Sequence, residues 1–372
     1  LWNEVEEVDQ ANLRQHQEVS IRELWNEVEE VDQANLRQHQ EDLQQFSKPI
    51  FMYMNRYSDI LPYSHSMVSV DGKTGKEDMD SYINANWIRA AELGDLPNDY
   101  IASQGPLDYT VKQFWKMIWQ HNVSLVVMVT SLVENGRSKS VRYWPEFVEE
   151  PVRSGPFSVT LQGVETPVES TLVSTLLLHN EDAPVGDQDR IIRHMYYHGW
   201  PDHGVPQDVS DFLDMMHLME NLREDTIHHG HCPPIVVHCS AGIGRTGTLI
   251  AVETVSHLLR HQLEEFGGSD QVDVPLLLIS VIKTLRGQRL GMVQTKAQLE
   301  FCLRAILRDL EYRDSQDSTP DSSREQEECI LDPERESPRG HLHHHTQHDP
   351  SSPSSSSPSS SLLCCCKAAH RR

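Results

Sequence analysis

The chain has 372 residues, 38% hydrophobic and 24% charged, which suffices for one large domain with tails or two average ones and excludes fibrous and wholly disordered classes. Its 32 Lys and Arg against 56 Asp and Glu give a formal charge of -24, a field that repels nucleic acid and anionic lipid, so no nucleic-acid partner is expected. Seven cysteines, spaced neither as a disulfide framework nor as paired zinc ligands, point to a reducing, cytoplasmic compartment.

The chain begins at Leu1 rather than at an initiating Met, as a fragment would. LWNEVEEVDQANLRQHQE occurs twice without a difference, from Leu1 to Glu18 and from Leu24 to Glu41. Leu24, Val28 and Val31, like Leu1, Val5 and Val8, follow helical spacing, so each copy reads as an amphipathic helix. At about 100° per residue the offset between copies turns the apolar stripe by roughly 140°, so one continuous helix cannot present both stripes to one surface. Identical copies are expected of a recent duplication or of an assembly error, and only the second is expected to pack on the domain. Residues 1–23 are set apart on that ground.

From Phe46 to Tyr312 the composition is globular. Short apolar strand candidates (Leu125 to Val129, Ile235 to Val237) alternate with helical patterns (Val209 to Leu222, Thr248 to Leu263, Gln298 to Leu310), which predicts an α/β domain. No stretch approaches the roughly 20 apolar residues of a membrane span. Beyond Tyr312 there are no aromatic residues and Ser, Pro, Asp, Glu and His dominate, so residues 314–372 are expected to be disordered. The tail's histidines (His343 to His345) read as composition, and no metal or cofactor is expected. Cys364 to Cys366 beside Lys367, Arg371 and Arg372 could carry a lipid anchor, but an unmodified end is the favoured reading.

The most informative stretch is PIVVHCSAGIGRTGT, Pro234 to Thr248, where an apolar strand runs through a glycine-bearing loop into a helix. Inward-pointing N–H groups and the positive helix end make such a loop a cradle for a tetrahedral oxyanion. No Lys-Ser/Thr pair follows the glycines, so it is not a nucleotide P-loop. Instead Cys239 opens the loop and Arg245 closes it, a setting that favours thiolate over thiol and so provides a nucleophile. A cysteine and an arginine at this spacing alone could equally be a buried structural thiol beside a turn.

The full HCSAGIGRTG resembles the signature of the classical, phosphotyrosine-specific protein tyrosine phosphatases, and the likeness extends over roughly residues 24 to 313. It implies a single cysteine-phosphatase domain, a central twisted mixed β-sheet flanked by helices. It also implies phosphotyrosine-containing proteins as substrates and partners. Trp200-Pro201-Asp202 in HGWPDHGVP looks like the family's mobile loop, whose Asp protonates the leaving tyrosyl oxygen, a group with pKa near ~10 that needs such an acid. Asn55-Arg56-Tyr57 with Asp59 resembles the phosphotyrosine-recognition loop, Tyr57 walling a deep pocket and Asp59 accepting from the substrate backbone.

By the same resemblance the loop from Ser240 through Ala241, Gly242, Ile243 and Gly244 binds phosphate. Glu134 holds Arg245, Lys139 meets the closed acid loop, and Tyr143 hydrogen-bonds His238. Gln294, with Gln298 after it, places the water of the second step, and Thr246 donates to the departing thiolate. Asp80 to Asn86 and Gln104 to Leu107 match framework motifs. The sequence departs from the family at Met54, where a basic residue is usual, and at Ser64-His65-Ser66-Met67, where Asp-His-Ser-Arg is usual. A missing charge pair and reduced local stability are expected there. The competing function is a pseudophosphatase or scaffold that binds phosphotyrosine without turnover. A dual-specificity phosphatase, with a shallower pocket and no tyrosine-recognition motif, is the nearer rival among enzymes.

Overall fold

The computed structural model describes residues 21–72, 79–94, 96–148, 150–225, 232–266 and 272–317. The first repeat copy, the His-rich stretch and the cysteine-bearing tail lie outside the described residues. Residues 21–38 form a helix, α1, followed by α2 (Gln40–Phe46) and α3 (Pro49–Met52). Then come β1 (Ala85–Ile88), β2 (Tyr100–Ser103), α4 (Val111–Gln120), β3 (Leu125–Met128), β4 (Val133–Glu134), β5 (Arg137–Ser138) and β6 (Val152–Ser154). The long strands β7 (Phe157–Val168), β8 (Thr171–Asn180) and β9 (Asp189–Tyr197) precede α5 (Ser210–Glu224). The remaining elements are β10 (Ile235–His238), α6 (Gly244–Phe266), α7 (Val274–Gln288) and α8 (Lys296–Asp317). The chain divides after Asp314, and all of these elements save the end of α8 belong to the first unit.

The fold is α/β. Among the described residues the eight-stranded sheet runs β1-β2-β10-β3-β9-β8-β7-β6, with β2, β10, β3 and β9 parallel and the outer strands antiparallel. The central strands are apolar along their length because both faces are covered. Ile235 and Val237 of β10 enter the core built with α5 to α8, while Val236 between them enters the core built with α4. Each such fully buried Val or Ile contributes roughly 1.5–3 kcal/mol. The carboxyl ends of parallel strands converge at one edge, the place where open α/β sheets bind ligands.

The second repeat copy packs on this domain through Leu24 and Val28, both buried in the larger core. At Met54 and Met67, where local stability was in doubt, packing takes the place of the missing charge pair. Both methionines are buried in one apolar cluster with Phe46, Phe51, Leu61 and Tyr82, so apolar contact stands where the family has charge. Exchanging a buried ion pair for well-packed apolar groups is often neutral or stabilising. Ser64 is not left loose either, since its N–H donates to Asp42 Oδ2 at 2.9 Å.

Candidate active site

β10 ends at His238, and Cys239 to Ile243 form the turn before α6 begins at Gly244. The turn is possible only because Gly242 has φ 72°, and a Cβ there would come within 2.1 Å of the Ser103 carbonyl oxygen. The Gly242 N–H donates to Cys239 Sγ at 3.3 Å, placing a backbone donor on the thiol. Tyr57 and Ser240 share a hydroxyl hydrogen bond of 2.8 Å, which joins the recognition loop to the cysteine loop.

These residues line one cleft of about 350 Å³. Cys239, Ser240, Ala241, Gly244 and Arg245 form its floor segment, and Tyr57, Asp59, Glu134, Lys139, Asp202, Gln294 and Gln298 come to it from elsewhere in the chain. Ile243 is buried beneath in the core. Residues as far apart in sequence as Tyr57 and Gln298 therefore meet, because β2, β3, β9 and β10 all end at this edge.

Arg245 is held from two sides. Glu134, on the β4–β5 hairpin whose tight turn is Asn135-Gly136 at φ 50° and 71°, takes both terminal nitrogens in a fork, with Nη2 3.0 Å from Oε2. Nη1 also donates to Thr130 Oγ1 at 3.2 Å, and Nη2 to the Pro201 carbonyl at 3.2 Å. Burial raises the Glu134 carboxyl, but Arg245, with Thr130 and Lys139, outweighs that and leaves it below its ordinary value. Lys139 lies 3.8 Å from the same carboxylate. Trp200 is buried, and its ring faces the Arg245 guanidinium at 5.7 Å. Its Nε1 donates to the Gly204 carbonyl at 3.1 Å and so ties the acid loop across itself.

Below the loop Tyr143 Oη is 2.7 Å from His238 Nε2 and 2.7 Å from His194 Nε2. His238 Nδ1 reaches the Cys239 carbonyl at 3.1 Å. Burial pulls the His238 imidazole down to about 4 and the His194 imidazole down to about 3, so both are neutral at pH 7. On the far side, the Gln294 N–H donates to Gln298 Oε1 at 2.8 Å, and a Cβ on Gly247 would lie 2.4 Å from the Val293 nitrogen, so α6 and the glutamine loop touch backbone to backbone. Thr246 lies in the first turn of α6. Its hydroxyl is buried without a hydrogen-bond partner, and the donor on Cys239 Sγ is the Gly242 N–H instead.

Three side chains that brace this site were not anticipated: His194, Arg286 and Arg289. Arg289 is buried and donates to the Gly242 carbonyl at 2.8 Å, the Ala241 carbonyl at 3.0 Å, and the side chains of Asn86 at 2.6 Å and Asn84 at 2.9 Å. It takes up the carbonyls of the cysteine loop, which leaves the N–H groups for an anion. Burial draws its guanidinium down to about 10. Gly291-Met292-Val293-Gln294-Thr295 marks Gln294 in the sequence, and Arg289 stands two residues before that motif.

A family model described as protein-tyrosine phosphatase matches residues 51–308. Tyrosine-protein phosphatase non-receptor type 12 of Homo sapiens is 38% identical over 252 residues, 68% of this chain and 29% of its own length. Tyrosine-protein phosphatase non-receptor type 4 of Mus musculus is 38% identical over 255 residues, 68% of this chain and 25% of its own length. Receptor-type tyrosine-protein phosphatase alpha of Mus musculus is 37% identical over 258 residues, 69% of this chain and 28% of its own length. The chain thus spans only 25% to 29% of the length of these curated relatives. With a cysteine-to-arginine anion loop at the end of its central parallel strand and the family model covering most of its folded part, the chain belongs to the protein-tyrosine phosphatase family.

Proposed function

We propose that this chain hydrolyses phosphotyrosine in proteins by two displacements at phosphorus. The Cys239 thiolate attacks the phosphate in line and a sulfur–phosphorus bond forms as the bond to the tyrosyl oxygen breaks. Asp202 passes its proton to that oxygen. Four of the five Arg245 N–H groups are committed to Glu134, Thr130 and Pro201, which leaves Nε–H for the equatorial oxygens until Pro201 yields Nη2. The loop amides from Ser240 to Arg245 supply the other donors. A water placed by Gln294 then attacks the cysteinyl phosphate. Asp202 takes the water's proton, orthophosphate leaves and the thiolate is restored. Thr246 is kept as donor to that thiolate, which requires its unpartnered hydroxyl to turn toward sulfur. Tyr57 and Asp59 hold the ring and the backbone of the substrate.

The observation that carries this reading is the hydrogen bond from Arg245 to the carbonyl of Pro201, the residue before Asp202. It seats the acid loop on the anion loop, so acid, nucleophile and cation face one cleft. Residues 24–313 are assigned as the catalytic unit and the site of action as the cytoplasm. Cys232, Cys239 and Cys302 are free thiols, as a reducing compartment would keep them.

Cys239→Ser and Asp202→Ala test the reading on a phosphotyrosyl peptide. Cys239→Ser should abolish turnover, and residual activity within about tenfold of wild type would sink the covalent step. Asp202→Ala should lower kcat by ~10²-fold or more with little change in binding. A wild-type protein that binds the peptide without releasing phosphate would establish the scaffold reading instead.

A further inference from the structure

We infer that α1, which precedes residues 51–308 matched by the family model, positions the glutamine loop for the second chemical step by gripping the buried Arg286. Gln294 is displayed by a loop whose preceding residue, Val293, has φ 57°. That is left-handed backbone, rare for a β-branched side chain, and it persists only where neighbours enforce it. Two groups enforce it here. The Val293 N–H donates to the Ile243 carbonyl at 3.2 Å. Arg286, on α7, donates from Nε to the Met292 carbonyl at 2.9 Å and from Nη2 to the Val293 carbonyl at 2.6 Å.

The other half of that guanidinium belongs to α1. Nη1 donates to the Val28 carbonyl at 3.2 Å and pairs with the Asp32 carboxylate, and the Trp25 ring stands 5.3 Å from its central carbon. Asn35 Nδ2 donates to the Arg286 carbonyl at 3.0 Å, which fixes the backbone as well. Arg286 is 2% exposed, so its charge has little water to fall back on. A buried guanidinium without its carboxylate is costly and must shift or draw water in. Either movement releases the Met292 and Val293 carbonyls from which Gln294 hangs. Cys239 and Arg245 have holders of their own, the Gly242 N–H on the sulfur and Glu134 with Thr130 on the guanidinium.

The consequence is specific to one step. The grip bears on Gln294, and the inference rests on the reading of Gln294 as the residue that places the hydrolytic water. Asp32 is accordingly a positioning residue that acts through Arg286. If only hydrolysis of the cysteinyl phosphate slows, kcat and KM fall together and kcat/KM, which reports steps up to the first bond cleavage, stays constant. Partial unfolding would behave differently, lowering kcat and kcat/KM equally with KM unchanged.

The experiment is rapid-quench and steady-state kinetics with an aryl phosphate on the full chain and on Asp32→Ala, Asp32→Asn and Gln294→Ala. Asp32→Asn keeps the shape of the side chain, and the apolar seat of Leu24 and Val28 remains in both Asp32 variants. Both should lower kcat and KM by about tenfold together, within the ~10²-fold that a distant 1 Å misplacement can cost, with a burst of phenol that matches the phosphoenzyme formed. Gln294→Ala should show the same burst. A burst in Gln294→Ala with none in either Asp32 variant would overturn the inference and leave the reading of Gln294 standing. No burst in Gln294→Ala would overturn both.

Discussion

The hydrogens in the chain beneath Cys239 can run in one direction only. A backbone carbonyl accepts, so His238 carries its proton on Nδ1 toward Cys239 O, and its bare Nε2 accepts from the Tyr143 hydroxyl. Tyr143 oxygen then accepts from Nε2–H of His194, whose Nδ1 is buried without a partner and is left as the less costly bare acceptor. A proton added to His238 would fall on Nε2 and break this order, one added to His194 would put an N–H on its partnerless Nδ1, and burial, with Arg142 near His194 and Arg56 near His238, holds both rings neutral. Since the folded values, about 3 and about 4, lie below the ordinary 6.5, the unfolded chain binds protons that the folded chain refuses. Stability should therefore be full above pH 6.5 and fall toward pH 4, each histidine adding a slope of up to about 1.4 kcal/mol per pH unit. Urea unfolding of wild type and His194→Gln, whose amide keeps a donor for Tyr143, checks this: the variant's curve should be flatter by one histidine, and parallel curves would refute the assignment. Cys239, Arg245 and Asp202 were legible in the sequence because each stands in a short contiguous motif. His194, Arg286 and Arg289 were not, because key partners of each come from distant segments; Arg289 and Asn86 are 203 residues apart, and Arg286 and Asp32 254.

Among elements, what could be read depended on whether burial leaves a simple pattern. β3 and β10 stand out as apolar runs because both faces are covered. The β7–β8–β9 meander was missed: β8 alternates buried and half-buried positions, but the register shifts between Leu161 and Gly163 and again between Glu165 and Val168, so no period of two persists in β7. α7 carries its start signal in the sequence. Asp273 caps it by accepting from the Leu276 N–H at 3.0 Å, and Pro275 occupies its first turn. The Met54–Met67 cluster under α2 and α3 shows how a departure from the family pattern is absorbed by packing, and its two substitutions must go together. Met54→Ala should cost ~2–5 kcal/mol as a cavity. Met54→Lys, which restores one charge of a pair whose other members are now Ser64 and Met67, should cost at least about 3 kcal/mol because the charge is buried against Phe46, Phe51 and Tyr82. Chemical denaturation that found Met54→Lys as stable as wild type would mean that a carboxylate still waits at this position.

At the scale of the molecule the dominant fact is a formal charge of -24, against a site that, on the proposed reaction, must attract a phosphate dianion. The cleft itself offers little net positive charge, since Arg245 is matched by Glu134, Lys139 lies beside that same carboxylate, and Asp59 and Asp202 complete the rim. Attraction must therefore come at short range from loop amides and the helix end, groups that act within a few ångströms, while the long-range field opposes approach. The two contributions separate by ionic strength. The Debye length shrinks from about 30 Å at 0.01 M to about 8 Å at 0.15 M, so salt removes the distant repulsion and leaves the contact-range cradle largely intact. For phosphotyrosyl peptides with acidic flanks, kcat/KM should therefore rise with salt over that range. With basic flanks it should fall, because the same field then steers the peptide in. Measuring kcat/KM for both peptides across the range decides the matter. An acidic-flanked peptide turned over best at the lowest salt would show that a local cationic patch outweighs the acidic surface at the mouth of the cleft.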